Sequence, residues 1–317
     1  MTTRGPTFGF QTRSTSTEGL RTLESLPFDT LWVGGHIASP TDAPEVMMQL
    51  ARLAALTTRA RIGTSALLLP LYPPAIIAKQ VADVDRASSG RVILGVGVGG
   101  EHPEEFDACG VPVQERGRRT DEAIPLLRRL WSGEEVTHRG RFHSMASVRL
   151  GPPPLQRGGP PIVVTGRSPA AMRRAGTLGD GWMPYLYSPE RFSKSVIEVR
   201  AAAERSTREL RDFSWMAFVC TNLSENAAEG RADATAFFGA SFGQDVGPFL
   251  DRVAAVGSPE QVATRIGEFI DAGADHIIVA PSTSRDPLAM AQLFATEVMP
   301  RLSRTSPTDD NSRTKHL

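Results

Sequence analysis

Cysteine is nearly absent. Cys109 and Cys220 are the only two in 317 residues. At most one bridge can form, so no disulfide framework holds this chain, and no cysteine-based zinc site fits. Lysine is scarce too, at Lys79, Lys194 and Lys315, and arginine supplies the other basic charges. That bias points to a GC-rich coding genome. Net charge is missing as well, 35 basic residues against 35 acidic ones. This argues against nucleic acid or an anionic membrane as partner. No apolar run approaches the roughly 18 residues of a transmembrane helix. The opening MTTRGPTFGF has no apolar core of a secretory signal, so a cytoplasmic chain is expected. The six histidines, at 36, 102, 138, 143, 276 and 316, show no metal spacing, and no HExxH occurs.

What remains is an ordinary globular composition, 40% apolar and 22% charged. The length suits one large α/β domain or two average ones. Strands are expected at 7–11, 30–34, 61–69, 91–97, 162–165, 181–185, 214–221 and 275–280. Between them lie helical patterns, the first at 18–26. Asp42 is the expected cap of the second, with Glu45 three residues on, as in a capping box. Residues 74–88 carry another. Ser168-Pro169, Ser188-Pro189 and Ser258-Pro259 each open one, a cap followed by a preset first turn. Val33, Ser65 and Gly97 recur 32 residues apart in the second, third and fourth strands. Strand and helix alternate without hairpins, which implies a parallel sheet under outer helices. Eight such strands predict a (β/α)8 TIM barrel over 1–303, with a doubly wound sheet as the rival. Residues 101–160 break the rhythm and read as an insertion after strand four, with one clear helix at 121–131. Residues 224–250 read as helical with a mobile loop near 239–247. The polar tail at 304–317 is expected to be disordered.

Three places carry chemistry. Gly95-Val96-Gly97-Val98-Gly99-Gly100 formally contains GxGxxG. A Rossmann loop opens a helix at once in the first βαβ unit; here Glu101-His102-Pro103 follows the fourth strand. The better reading is bare backbone that lets a flat ring approach. Thr165-Gly166-Arg167-Ser168-Pro169 runs from strand to helix N-terminus, a ready anion site to which Arg167 adds charge and near which Arg173 and Arg174 lie. His36 closes the second strand and Glu101 follows the fourth. On a barrel's C-terminal face both become catalytic candidates, with His102 behind them.

These residues add up to a resemblance. Ala60-Arg61-Ile62-Gly63-Thr64, Leu69-Pro70, Pro73-Pro74, Ala78-Lys79, Asp85 and Ser89-Gly90-Arg91 are similar to the bacterial luciferase-like monooxygenase superfamily. So are the glycine run, Glu105-Phe106, Arg116-Gly117-Arg118, Leu130-Trp131, Gly140-Arg141-Phe142, Gly166-Arg167-Ser168-Pro169 and Asp180-Gly181-Trp182. The match is dense over 30–185 and thinner through Gly257-Ser258-Pro259-Glu260 and Ala272-Gly273-Ala274-Asp275-His276. The resemblance implies a (β/α)8 barrel holding the deazaflavin F420 or FMN at the C-terminal strand ends. It implies a cis Ser65–Ala66 bond behind the ring, and cofactor contacts from Ser65, Ala66, Gly97, Val98, Gly99 and Gly100. Gly166, Arg167 and Ser168 become the phosphate contact, His36 sits beside the reactive ring, and Glu101 matches a glutamate that follows the glycine run. Trp is common after that run, and here Gly100 or Glu101 takes its place. A homodimer is also implied.

The expected activity is therefore an oxidoreductase acting on a small organic substrate. Reduced F420 comes first, because an arginine-rich composition suits genomes in which F420 is common; FMN is the alternative. Two other classes stay open. One is a non-catalytic flavin-binding relative. The other is a Rossmann-type nicotinamide dehydrogenase, for which Asp121 lies at the distance of a ribose ligand.

Overall fold

The computed structural model describes residues 5–13, 16–39, 43–242 and 247–303. Eight parallel strands follow one another around a closed barrel. They are Thr7–Gln11, Thr30–Val33, Arg61–Thr64, Val92–Gly97, Ile162–Thr165, Gly181–Met183, Ser214–Leu223 and His276–Pro281. Each pairs with the next, and the eighth pairs back onto the first, His276 opposite Thr7. The expected (β/α)8 barrel is thus the observed fold.

Packing explains the closure. Trp32, Ile93, Val163, Met183, Met216 and Ile278 form one buried cluster. A second, larger cluster holds Leu31, Val33 and Ile62 from strands with Leu50, Val81, Leu127 and Ile266 from helices. Alternate strand residues face opposite sides of a sheet, so the first cluster fills the barrel and the second seals it to its helices. Room for Trp32 comes from Gly63, where a Cβ would lie 2.4 Å from the indole ring. At the N-terminal end of the barrel His276 is buried between two hydroxyls, Thr7 Oγ1 at 2.6 Å and Thr30 Oγ1 at 2.8 Å. Burial, aided by the charge of Arg61, pushes its ionisation down to about 3.

The three Ser-Pro openings all form helices, Pro169–Leu178, Pro189–Arg205 and Pro259–Asp271. In each the serine Oγ accepts from the backbone three residues on, and Ser258 completes a capping box with Gln261. No helix among the described residues is long and apolar enough to cross a membrane.

Several expectations change. The second helix is Val46–Leu56, capped by Glu45, whose carboxylate accepts from Met48 N at 2.7 Å; Asp42 lies outside the described residues. Strand three stops at Thr64, resumes as Leu67–Leu68 and turns into a 3-10 helix at Leu69–Leu71. The 32-residue recurrence is no register, since Val33 pairs with Thr64 and Gly97 with Leu68. The insertion holds two helices, Pro103–Ala108 and Arg116–Leu130, and a hairpin of Val136–Arg139 with Ser144–Val148. Within 224–250 run Ala227–Phe242 and the start of Gly247–Val253, and an unforeseen strand, Ala254–Gly257, pairs with strand seven. The expected loop falls partly on residues 243–246, and the tail on 304–317, both outside the described residues.

Candidate active site

The C-terminal strand ends gather the singled-out residues around one mouth. Past strand two stands His36, with 30% of its side chain exposed. Its Nδ1 lies 3.4 Å from both carboxylate oxygens of Glu105. The Glu105 side chain is fully buried, and it also accepts from Ile37 N at 3.2 Å. Glu105 rides on Pro103–Ala108, where Phe106 is also fully buried and pins the short helix. A buried carboxylate needs such partners, because desolvation without them is costly. The His36 ring meets His102 edge to face, centroids 4.9 Å apart. Burial raises the Cys109 thiol and the Tyr72 hydroxyl, and the charge of Glu105 adds to both. Tyr72 donates to Glu45 at 3.0 Å. Both groups stay neutral beside His36 and Glu105.

Beside them runs the glycine segment. Gly97 faces strand five closely enough that a Cβ would lie 2.9 Å from Thr165 Oγ1 and 3.3 Å from Ala66 Cβ. Gly100 has φ +108°, a region that disfavours side chains, and Arg116 Nε would lie 2.9 Å from a Cβ there. The Ser65–Ala66 bond is cis, as the resemblance implied. Ser65 N donates to Val33 O at 2.7 Å, while the buried Ser65 Oγ has no hydrogen-bond partner.

The third piece is the turn after strand five. Gly166 has φ +122°, its carbonyl accepts from Trp182 Nε1 at 2.9 Å, and Ser168 caps the following helix. Arg167 stacks over Tyr185, 5.0 Å from the ring centroid. Tyr185 in turn donates to Glu101, and burial, then that carboxylate, pushes its ionisation up to about 12. Arg173 and Arg174 do not serve the turn: both pair with Asp121, Arg174 at 2.6 Å. The same contacts engage Asp121 in helix packing rather than as a ribose ligand.

His36 therefore meets Glu105, and Glu101 joins Tyr185 and Arg167 on the rim. Glu105 was visible in the sequence only as half of Glu105-Phe106. Its signal, an acid in the first turn of a helix opened by Pro103 and followed by a buried Phe, was there to be used. The parts fit a flat ring with a phosphate-bearing chain. Unsubstituted backbone lies at 97, 99 and 100, an unsatisfied buried hydroxyl sits at Ser65, and an anion turn with an arginine lies nearby.

A family model for luciferase-like monooxygenases matches residues 11–276. The chain belongs to the luciferase-like monooxygenase family. An uncharacterized protein of Mycobacterium tuberculosis is 36% identical over 162 residues, 51% of this chain and 55% of that protein; this chain thus spans about half the length of that relative. An F420-dependent glucose-6-phosphate dehydrogenase of Beutenbergia cavernae is 28% identical across 88% of this chain and 90% of its own. The crystal structure of the monooxygenase RslO1 from Streptomyces bottropensis superposes with a TM-score of 0.79 at 25% identity, covering 93% of this chain and 99% of that one.

Proposed function

We propose that this luciferase-like chain is an oxidoreductase that uses F420, or FMN as the alternative, on a small organic substrate bearing a hydroxyl or carbonyl group. The observation that carries the reading is the His36 imidazole held on the fully buried Glu105 carboxylate, on the face that also holds the glycine run. The resemblance to an F420-dependent dehydrogenase over nearly the whole chain supports F420 as the first choice.

When bound, the deazaflavin or flavin ring supplies a hydride acceptor or donor. The protein does the rest. Gly97, Val98, Gly99 and Gly100, with Ser65 and Ala66 on the adjoining strand, would hold the ring, with Ser65 Oγ free to bond it. Gly166, Arg167 and Ser168 would hold the phosphate through backbone N–H groups, the helix dipole and one guanidinium. His36 gives Nδ1 to Glu105, which leaves Nε2 to take the proton of an alcohol or to protonate a carbonyl oxygen. Glu105 steadies the imidazolium that results. Glu101 is the second acid–base candidate, reaching the mouth from strand four through its bond to Tyr185. We infer a homodimer in the cytoplasm; Met48 and Ile76, apolar and more than half exposed on neighbouring helices, suit a subunit contact.

The likeness to a monooxygenase favours one second reading, FMN with dioxygen. A deazaflavin does not readily activate dioxygen, so cofactor identity decides the reaction type. Titration of the purified protein with F420 and with FMN, followed by absorbance, separates the readings. Saturable F420 binding is expected. Binding of FMN alone selects the oxygen reading, and binding of neither rejects both.

A further inference from the structure

We propose that Gln11 is a substrate-binding residue whose carboxamide donates to the oxygen of an uncharged alcohol or ketone with an apolar body. The proposal rests on the oxidoreductase reading and deepens it by naming the substrate class. Gln11 ends strand one. Two residues before it stands Gly9, where a Cβ would lie 2.7 Å from the Trp32 indole nitrogen inside the barrel. Residues two apart share a face, so Gln11 also points inward. Its Nε2 lies 3.7 Å from where a Cβ of Gly34 would stand, next to the Ser65 carbonyl. Gly34 is two residues ahead of His36. Only 7% of Gln11 is exposed. Its amide nevertheless makes no hydrogen bond among the described residues, and it is not sealed from solvent. Buried amides are nearly always bonded. This one opens into the mouth and is left for a ligand.

The surroundings say what that ligand is. Ser65, the glycine run and the anion turn belong to strands three to five, His36 follows strand two, and Gln11 ends strand one. Beyond Gln11 the inward residues are Ala280 on strand eight and Phe218 and Cys220 on strand seven, none of them charged. Phe218 is half-buried on the cluster that fills the barrel, so its free face looks into the mouth. Helix Ala227–Phe242 covers this half. Phe238 shares a buried cluster with Cys220, and Phe237 meets the Arg13 guanidinium, 5.9 Å from the ring centroid. Asn222 Oδ1 on strand seven also lacks a partner but is sealed beside Gly230. The half-pocket thus offers an apolar floor and one open polar handle, which suits a hydrocarbon body with a single oxygen. A phosphorylated sugar would leave its hydroxyls unpaired there. An alcohol that gives its proton to His36 Nε2 keeps a lone pair on the same oxygen, and that lone pair accepts from Gln11 Nε2.

The test is ligand binding followed by NMR on the full chain, free and loaded with F420, with cyclohexanone and methylenecyclohexane as probes. The two share shape and apolar body, and only the ketone accepts a hydrogen bond. Wild type should bind the ketone about tenfold more tightly, the worth of one hydrogen bond. Gln11→Leu should erase that preference while methylenecyclohexane binds as before. Gln11→Met carries the same expectation should the Leu variant not fold. No preference in the wild type, or one that survives in the variant, overturns the proposal. Displacement of the ketone by glucose 6-phosphate overturns the substrate class. In turnover, kcat/KM for cyclohexanol should fall about tenfold in Gln11→Leu with the F420 Kd unchanged. A weaker F420 Kd with the ketone preference intact would assign the amide to the ring and overturn the proposal too. A ketone preference that depends on Gln11 in a protein that binds neither F420 nor FMN would leave this proposal standing and reject the oxidoreductase reading instead.

Discussion

The carboxylate of Glu105 decides what His36 can do. A lone imidazole on a rim is an ordinary surface group; one held at Nδ1 by a buried carboxylate is fixed in orientation and its cation is stabilised. The sequence placed an acid near His36 but named Glu101, because the glycine run ends there. The short helix Pro103–Ala108 carries Glu105 inward, while Glu101 turns to Tyr185. Such a choice between two nearby acids depends on where a turn of helix begins, which pattern alone does not fix. Arg167 was legible for the opposite reason, since strand, glycine and helix cap force it to the turn. Arg167→Ala should weaken cofactor binding by about 1–3 kcal/mol, the loss of a charge-assisted bond. An unchanged Kd would remove Arg167 from the phosphate site.

Strands and helices were legible where one period ran unbroken. Ile162–Thr165 and Val92–Gly97 are buried on both faces and read as apolar runs, and the Ser-Pro caps mark three helices to the residue. Elements set by tertiary contacts were not. The hairpin at 136–148 is fastened by Glu122, which accepts from the backbone of Arg141, Phe142 and His143. The strand Ala254–Gly257 exists because strand seven runs on past its partner Gly181–Met183 and leaves an open edge. Asp233 likewise ties Ala227–Phe242 to strand seven through Asn222 and to the loop after strand eight through Thr283 and Ser284. Gly63 gives a direct check on the packing inside the barrel. Adding a methyl in Gly63→Ala puts it 2.4 Å from the Trp32 ring, and overpacking of this kind costs about 1–3 kcal/mol. The urea midpoint should fall accordingly; an unchanged midpoint would mean that Trp32 does not occupy that space.

The barrel as a unit has a chemical polarity. One end gathers His36, Glu105 and the anion turn; the other buries His276, with the exposed residue Asp275 next to it, its carboxylate held against Trp215 N. Desolvation of the Asp275 carboxyl against the strand ends pushes it up to about 6, against backbone bonds that lower it. The signs oppose. His276, neutral when folded, contributes stability above its unfolded pKa of about 6.5, and that contribution is lost as pH falls from there toward its folded value of about 3. Asp275, favoured in its protonated form, contributes below its unfolded value and loses this as pH rises through about 6. Comparing wild type with His276→Gln cancels the carboxylates common to both. The stability gap between them should narrow below pH 6.5, by up to about 1.4 kcal/mol per pH unit. A gap independent of pH would show that His276 titrates normally.

The account stands most directly on His36. The measurement is steady-state turnover and cofactor Kd of His36→Ala beside wild type, with F420 and an alcohol that the wild type oxidises. General acid–base groups contribute roughly 10²–10⁴-fold, so turnover should fall at least about tenfold. The Kd should stay nearly constant, because the phosphate turn and the glycine run are untouched. Near-normal turnover would contradict the acid–base role, and lost cofactor binding in a folded variant would make His36 a binding residue instead.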